Sequence, residues 1–317
     1  MAFYCLAALA VCLNAKLLNG QSTQGLAIAV PNGLRTNEGN AFGWYPFDGL
    51  GTSSRFQQVY EASQFSTLPE SGGFISALIF RLNGGGHTAA RATVSNLQVN
   101  LSTTLRAPDA LSRVFAENVG TDDTMVYQGF ISLSDQGSGR MPEIFRIFIQ
   151  FDKPFFYKAS AGNLLVDIRN HSGTASDGGL LLLDGHDLTG DGVSSQLVFN
   201  VNDPQAFQIS SFGYVTYFPF RLVPDMGIFL QSSNLLLRWD RYADNFELEQ
   251  SPILGLGADW QPAGGIVTTN GRYKEVTLPC DPQTRAGFFR LVLPPSSPSS
   301  AGIQTRNSST VLTSQEH

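Results

Sequence analysis

The chain has little sulfur to build with. Three cysteines occur, and Cys5 and Cys12 fall in an N-terminal apolar run, which leaves Cys280 as the one thiol of the remainder. A single thiol closes no intramolecular disulfide, so the fold is expected to rest on a hydrophobic core. Cys280 sits in Leu278-Pro279-Cys280-Asp281-Pro282, among turn formers and without a neighbouring His or basic residue. That describes a loop cysteine rather than an activated nucleophile. Lysine is scarce too, with four in 317 residues, no Lys/Arg cluster and a net charge of -6. A phosphate backbone would be repelled on average, so nucleic acid is not an expected partner. His87, His171 and His186 lie far apart, without an HExxH motif or a His pair four residues apart, and zinc is not expected. A G-x-S-x-G elbow, a P-loop and a dinucleotide fingerprint are likewise missing, so no catalytic residue is assigned. No apolar run reaches the about 20 residues that cross a bilayer. The mature chain is therefore expected to carry no transmembrane anchor.

What is present is apolar and turn-rich. Hydrophobic residues make up 42%, charged residues 15%, with 32 Gly and 23 Phe. That balance supports real cores and suits an all-β protein. Met1–Leu13, MAFYCLAALAVCL, has the length of a secretory h-region. Residues 1–20 are read as a signal peptide, with Gly20-Gln21 as the first choice of cleavage site and Ala15-Lys16 as the second. The product is expected outside the cell. The Ser/Thr/Pro-rich residues 295–317 read as a disordered tail.

Between these ends the period is that of strands. Phe145, Ile147, Ile149 and Phe151 alternate with Arg146, Phe148, Gln150 and Asp152, and Leu164, Val166 and Ile168 alternate with Leu165, Asp167 and Arg169. Each pattern describes a strand with one face buried, and together they mark the centre of a sandwich. Further strands are expected at 24–30, 73–82, 93–102, 125–133, 179–183, 196–201 and 214–222. Arg55–Phe65 fits either a strand or helical turns. One short helix is expected over Asp109–Asn118, capped by Asp109, with Leu111, Val114 and Phe115 on one face. Residues 23–225 thus read as a jelly-roll-like β-sandwich. Seven short strand candidates over 226–294, with Leu235, Leu237 and Trp239 sharing a face, read as a small immunoglobulin/fibronectin-III-like sandwich.

The strings Arg55-Phe56-Gln57-Gln58-Val59-Tyr60, Val94-Ser95-Asn96-Leu97-Gln98-Val99 and Ala161-Gly162-Asn163-Leu164-Leu165-Val166-Asp167-Ile168-Arg169-Asn170 resemble a family of uncharacterised secreted bacterial β-sandwich proteins. Many of its members end in a surface-sorting tail. The resemblance implies secretion and a β-fold and brings no activity with it. This chain departs from the tailed members, because no apolar helix followed by basic residues closes it. Leu237-Arg238-Trp239-Asp240, Phe246–Gln250 and Gly287–Leu291 resemble the small C-terminal accessory domains of large secreted bacterial proteins.

Two places could carry a ligand. Trp44, Tyr45 and Phe47 form an aromatic cluster in a Gly- and Asn-rich loop, where rings can stack on sugars. Tyr214, Tyr217 and Phe220 raise the same prospect on a strand, where alternation assigns them to the core. Asp184, Asp187, Thr189 and Asp191, with Gly192, imitate the start of a Ca²⁺ loop, although Val198 stands where the bidentate acid belongs. An Asp/Gly turn explains them as well. Ca²⁺ is the one cofactor this pattern admits. Three N-x-S sequons, at Asn100, Asn170 and Asn307, would matter only in a eukaryotic secretory pathway.

The expected function is a secreted, non-enzymatic binding or structural protein whose partner is an extracellular polysaccharide or a cell-surface component. The alternative is a glycoside hydrolase or lyase on a jelly-roll scaffold. That would need paired acids, such as Asp122/Asp123 or Asp240/Asp244, facing across a groove.

Overall fold

A computed structural model describes residues 26–47, 51–84, 90–177, 181–222, 224, 226–241, 246–271, 273–279 and 287–292. The expected leader (1–20), the tail (295–317), Cys280, His87 and Asp244 lie outside the described residues.

The chain is all-β. In order run β1 (Leu26–Val30), β2 (Ala41–Gly43), β3 (Ser54–Tyr60), β4 (Gly73–Phe80), β5 (Ala90–Thr104), β6 (Thr124–Asp135) and β7 (Ile147–Tyr157). Next come β8 (Asn163–Asn170), β9 (Thr174–Asp177), β10 (Leu183–Asp187), β11 (Val193–Val198), β12 (Gln208–Ser210), β13 (Phe212–Tyr214) and β14 (Thr216–Arg221). The last seven are β15 (Met226–Gln231), β16 (Asn234–Asp240), β17 (Glu247–Ser251), β18 (Gln261–Pro262), β19 (Thr268–Asn270), β20 (Tyr273–Pro279) and β21 (Phe288–Val292). Among the described residues the longest helical run is a 3-10 stretch of four. Arg55–Phe65 is both things its sequence allowed, since β3 is followed by a 3-10 turn at Ala62–Phe65.

A four-stranded sheet, β1-β14-β4-β7, faces a seven-stranded one, β12-β11-β3-β8-β5-β6, with β9 also paired to β5. Phe56 and Tyr60 of β3, Leu164, Val166 and Ile168 of β8, and Val99 and Leu101 of β5 meet Ile147, Ile149 and Phe151 of β7 and Phe218 of β14 in one buried cluster. Tyr60 crosses between the layers: its ring stands edge-on to Phe218 at 4.9 Å and its hydroxyl bonds Thr216 Oγ1 at 2.8 Å. The alternation read over residues 145–151 is the observed burial from Ile147 on, with Ile147, Ile149 and Phe151 inside and Phe148 and Gln150 outside. Phe145, expected on the buried face, precedes β7 and is half-buried against Tyr217. The two strands at the centre of the sequence do not pair, however. β7 lies on the edge of the smaller sheet and β8 in the middle of the larger.

β15–β21 form a four-stranded sheet, β15-β16-β20-β19, and a three-stranded one, β18-β17-β21. Leu235, Leu237, Trp239 and Val276 meet Leu248, Phe289 and Leu291 in a second cluster. Phe74 and Phe156, a cross-strand pair of β4 and β7 with rings 5.1 Å apart, belong to this second cluster rather than the first.

The helix expected over Asp109–Asn118 does not form. Only a 3-10 turn at Phe115–Asn118 exists, and Asp109 has φ 61°, a left-handed conformation that begins no helix. The intended cap is used elsewhere: the Asp109 N–H donates to Ser194 Oγ and its carboxylate accepts from the Gly190 N–H. Leu111 and Phe115 bury in two different small clusters on the outer face of the larger sheet, so tertiary burial overrides the helical period.

Beneath this segment lies a buried polar network. Asp167 accepts from Arg55 at 2.9 and 2.5 Å, from Arg169 at 2.9 Å and from Gln57 at 3.1 Å. Asn118 Nδ2 donates to Gln57 Oε1, and Arg55 stacks over the Phe115 ring at 4.4 Å. Burial alone would raise the Asp167 carboxyl, but the Arg55 and Arg169 guanidinium groups outweigh it and hold the carboxyl below its ordinary value of 3.8. A lowered folded value means that the unfolded chain binds more protons as the medium turns acid, so this stabilisation is present above pH 3.8 and is lost as pH falls through the folded value. Asp167→Asn is expected to cost about 2 kcal/mol at pH 7, because Arg55 and Arg169 keep some solvent. The difference from wild type should shrink below pH 4 in urea titrations; a difference that holds constant into acid would assign the cost to packing.

The sequon side chains are structural. Asn170 is fully buried and donates to the Pro46 carbonyl and Thr174 Oγ1, and Asn100 is 5% exposed and donates to Asp123. Neither is presented to a glycosylating enzyme once folded; Asn307 lies outside the described residues. Among the described residues no helix is long and apolar enough to cross a membrane.

Candidate functional site

The site is built around a sheet of three short strands, β13-β10-β2. β2 pairs Gly43 with Leu183 and Ala41 with Gly185. The close packing depends on glycine at position 43. A Cβ there would stand 2.6 Å from the Tyr214 hydroxyl and 3.0 Å from the Phe212 ring. Tyr214 uses the same hydroxyl to donate to the Tyr45 carbonyl at 2.6 Å. The Phe47 N–H returns to the Trp44 carbonyl at 2.7 Å, and the Pro46 carbonyl accepts from Asn170. Residues 44–47 are thus a turn pinned on both sides, with Phe47 as its root.

Phe47 is fully buried in the main core, which overturns its assignment as a ligand-facing residue. Trp44 and Tyr45 remain half-buried at the surface. They are the middle of a longer row. Phe42 lies 6.3 Å from Trp44, Trp44 5.9 Å from Tyr45, Tyr45 5.3 Å from Phe199, and Phe199 5.2 Å from Phe207, measured between ring centroids. Exposure of 50% at Phe42, 38% at Phe199 and 67% at Phe207 makes this a surface feature and not an edge of the core.

Phe199 and Phe207 flank a groove of about 520 Å³, whose other lining includes Asn200, Asp203, Pro204 and Gln205. The 199–207 loop is held by its backbone. Phe207 N–H donates to the Leu197 carbonyl, Ala206 N–H to Arg113, and Phe115 N–H to Pro204. Inside the loop, Asn200 Oδ1 accepts from the Asn202 N–H and Asp203 Oδ1 from the Gln205 N–H. Among the described residues the Asn200 Nδ2 group, Asp203 Oδ2 and the Gln205 side-chain amide carry no hydrogen bond. The site therefore offers rings for stacking, two free amides and one carboxylate oxygen on a fixed frame.

Sequence reasoning reached Trp44 and Tyr45 and missed Phe42, Phe199 and Phe207. The signal in Phe199-Asn200-Val201-Asn202-Asp203-Pro204-Gln205-Ala206-Phe207 was two phenylalanines bracketing a run of turn residues. Aromatic side chains in a turn have no alternating pattern to place them inside. Tyr214 and Phe220 are core residues, as their alternation suggested, and Tyr217 stacks on Phe145 at 5.1 Å.

The residues read as a Ca²⁺ loop are dispersed. Instead of a loop, 183–187 is strand β10, which sends residues three apart to opposite faces. Asp184 is buried and accepts from Arg81 Nε at 2.7 Å and from the Gly39 N–H at 3.0 Å. Asp187 is exposed and accepts from Ser211 Oγ, Thr189 is exposed, and Asp191 bonds His186 Nδ1 at 2.6 Å and the Val193 N–H at 3.0 Å. Burial pushes the Asp191 carboxyl up against the opposing pull of His186. Among the described residues no three His, Cys, Asp or Glu side chains gather as a metal would need.

No family model and no curated protein matches the chain.

Proposed function

We propose that the protein is a secreted, non-enzymatic binding module that takes extracellular or cell-surface carbohydrate along the row Phe42, Trp44, Tyr45, Phe199 and Phe207. The observation that supports this most is the unbroken run of surface rings ending in a groove with exposed amides that have no protein partner among the described residues. Sugar rings present apolar C–H faces and a rim of hydroxyls, which match aromatic faces and free amide or carboxylate groups. Both loops are tied down before any ligand arrives, which lowers the ordering cost of binding. The groove volume falls within the roughly 300–1,000 Å³ of small-molecule sites. Secretion rests on the apolar leader and on the resemblance to secreted bacterial sandwich proteins. The finer fold description we attach is a jelly-roll-like sandwich followed by an immunoglobulin/fibronectin-III-like one.

Binding is preferred to hydrolysis because the groove lining holds one carboxylate, Asp203. Glycoside cleavage by paired acids needs a second across the bond. The test is native affinity electrophoresis of the mature protein through gels carrying soluble polysaccharides, with pull-down on insoluble cell-wall material. Retardation or capture is expected with at least one polysaccharide; mobility unchanged in every gel and no capture would remove the carbohydrate reading.

A further inference from the structure

We infer that the groove selects neutral glycans and excludes those bearing carboxylate or sulfate groups. This rests on the carbohydrate reading above and adds a chemical class to it. The argument is the charge of the lining. Asn200 and Gln205 supply neutral donors and acceptors, Phe199 and Phe207 supply faces, and the single ionisable group is the Asp203 carboxylate. With Asp203 Oδ1 fixed on the Gln205 N–H, Oδ2 is left to accept hydroxyl hydrogens. An acid or sulfate group on the sugar would be set against that carboxylate with no cation in the lining to offset it. Arg113 is fixed to the backbone of this loop, its Nη1 donating to the Ala206 and Phe207 carbonyls at 3.0 and 3.3 Å, and its side chain is not part of the lining. The whole chain pushes the same way, with a net charge of -6.

The rings do not depend on ligand charge, so they set affinity while Asp203 sets the class. Asp203→Asn removes the repulsion and keeps the shape.

A glycan array bearing neutral, uronate-containing and sulfated oligosaccharides, probed with the full mature chain, tests this. The expected result is binding confined to neutral glycans, at least tenfold above the acidic members of matched backbones. Asp203→Asn should narrow that ratio at least threefold, with the narrowing largest at low salt. Strongest binding to a uronate or sulfated glycan would overturn the neutral-class inference and leave the carbohydrate reading standing. So would a ratio unmoved by Asp203→Asn. Silence on every glycan, with the chain folded by circular dichroism, would sink both.

Discussion

Replacing Arg81 by Met is expected to lower the free energy of unfolding by about 3–5 kcal/mol, the range for breaking a buried ion pair from one side. Arg81 and Asp184 both have fully buried side chains, 2.6 Å apart. The guanidinium does more than meet one acid. It donates to the carbonyls of Leu34, Arg35 and Asn37 and lies over the Phe145 ring at 4.9 Å. One side chain thus clamps the 31–39 segment to β4 and β10. Its loss strands several acceptors at once, each costing about 1–3 kcal/mol when buried. Asp184→Asn should cost a comparable amount, because it leaves the Arg81 guanidinium, which keeps its charge, buried without a counter-ion. Burial pushes the Asp184 carboxyl up to about 6 despite Arg81, so the fold holds the charged carboxylate at a cost. With its oxygen kept on the Gly39 N–H, Asn turns its NH₂ group toward Arg81, donor against donor, where Oδ2 had accepted. The pH dependence follows with opposite sign to that of Asp167. In the window from 3.8 to about 6 the folded chain binds the extra proton. Stability from this group therefore falls as pH rises through about 6 and is greatest below 3.8. Urea unfolding of wild type, Arg81→Met and Asp184→Asn at pH 5 and 7 measures all three. An Asp184→Asn loss far below that of Arg81→Met would contradict the pairing drawn here.

The second large effect concerns binding. Trp44→Ala and Phe207→Ala are each expected to weaken a bound polysaccharide at least about fivefold, in line with about 1–3 kcal/mol per stacked ring by analogy with base stacking. Phe207 is 67% exposed, so its removal should leave stability within about 0.5 kcal/mol of wild type. That separation of affinity from stability is the informative part. Phe47→Ala would also abolish binding, but by unfolding the turn that carries Trp44, since Phe47 is fully buried. Titration calorimetry beside thermal melts distinguishes the two. Unchanged affinity in both Trp44→Ala and Phe207→Ala would place the ligand elsewhere.

The strands were legible because their chemistry is periodic. Ile147, Ile149 and Phe151 announce one buried face, as do Leu235, Leu237 and Trp239, and each set behaves so. Layer assignment was not legible. β7 and β8 follow one another in sequence but belong to different sheets, and that depends on long-range pairing, such as Phe56 with Ile168 and Leu78 with Ile149. The helix expected over 109–118 failed because Leu111 and Phe115 had two separate places to bury, which no local period records. The Ca²⁺ pattern misled because acids near glycine serve turns, caps and ion pairs equally well. Asp184 proved to belong to Arg81, 103 residues away. The aromatic site was half visible: Trp44 and Tyr45 stood out in their loop, whereas Phe199 joins them only through the fold, 5.3 Å from Tyr45.

The three tryptophans give the most direct measurement of the central claim. Trp44 sits in the surface row, Trp239 is buried in the second cluster, and Trp260 packs under Arg290 at 4.3 Å. In an ¹⁵N-resolved spectrum of the indole N–H groups, titration with a polysaccharide that retards the protein should move the Trp44 resonance and leave the other two in place. A stationary Trp44 peak at saturation, or movement of Trp260 alone, would contradict the account.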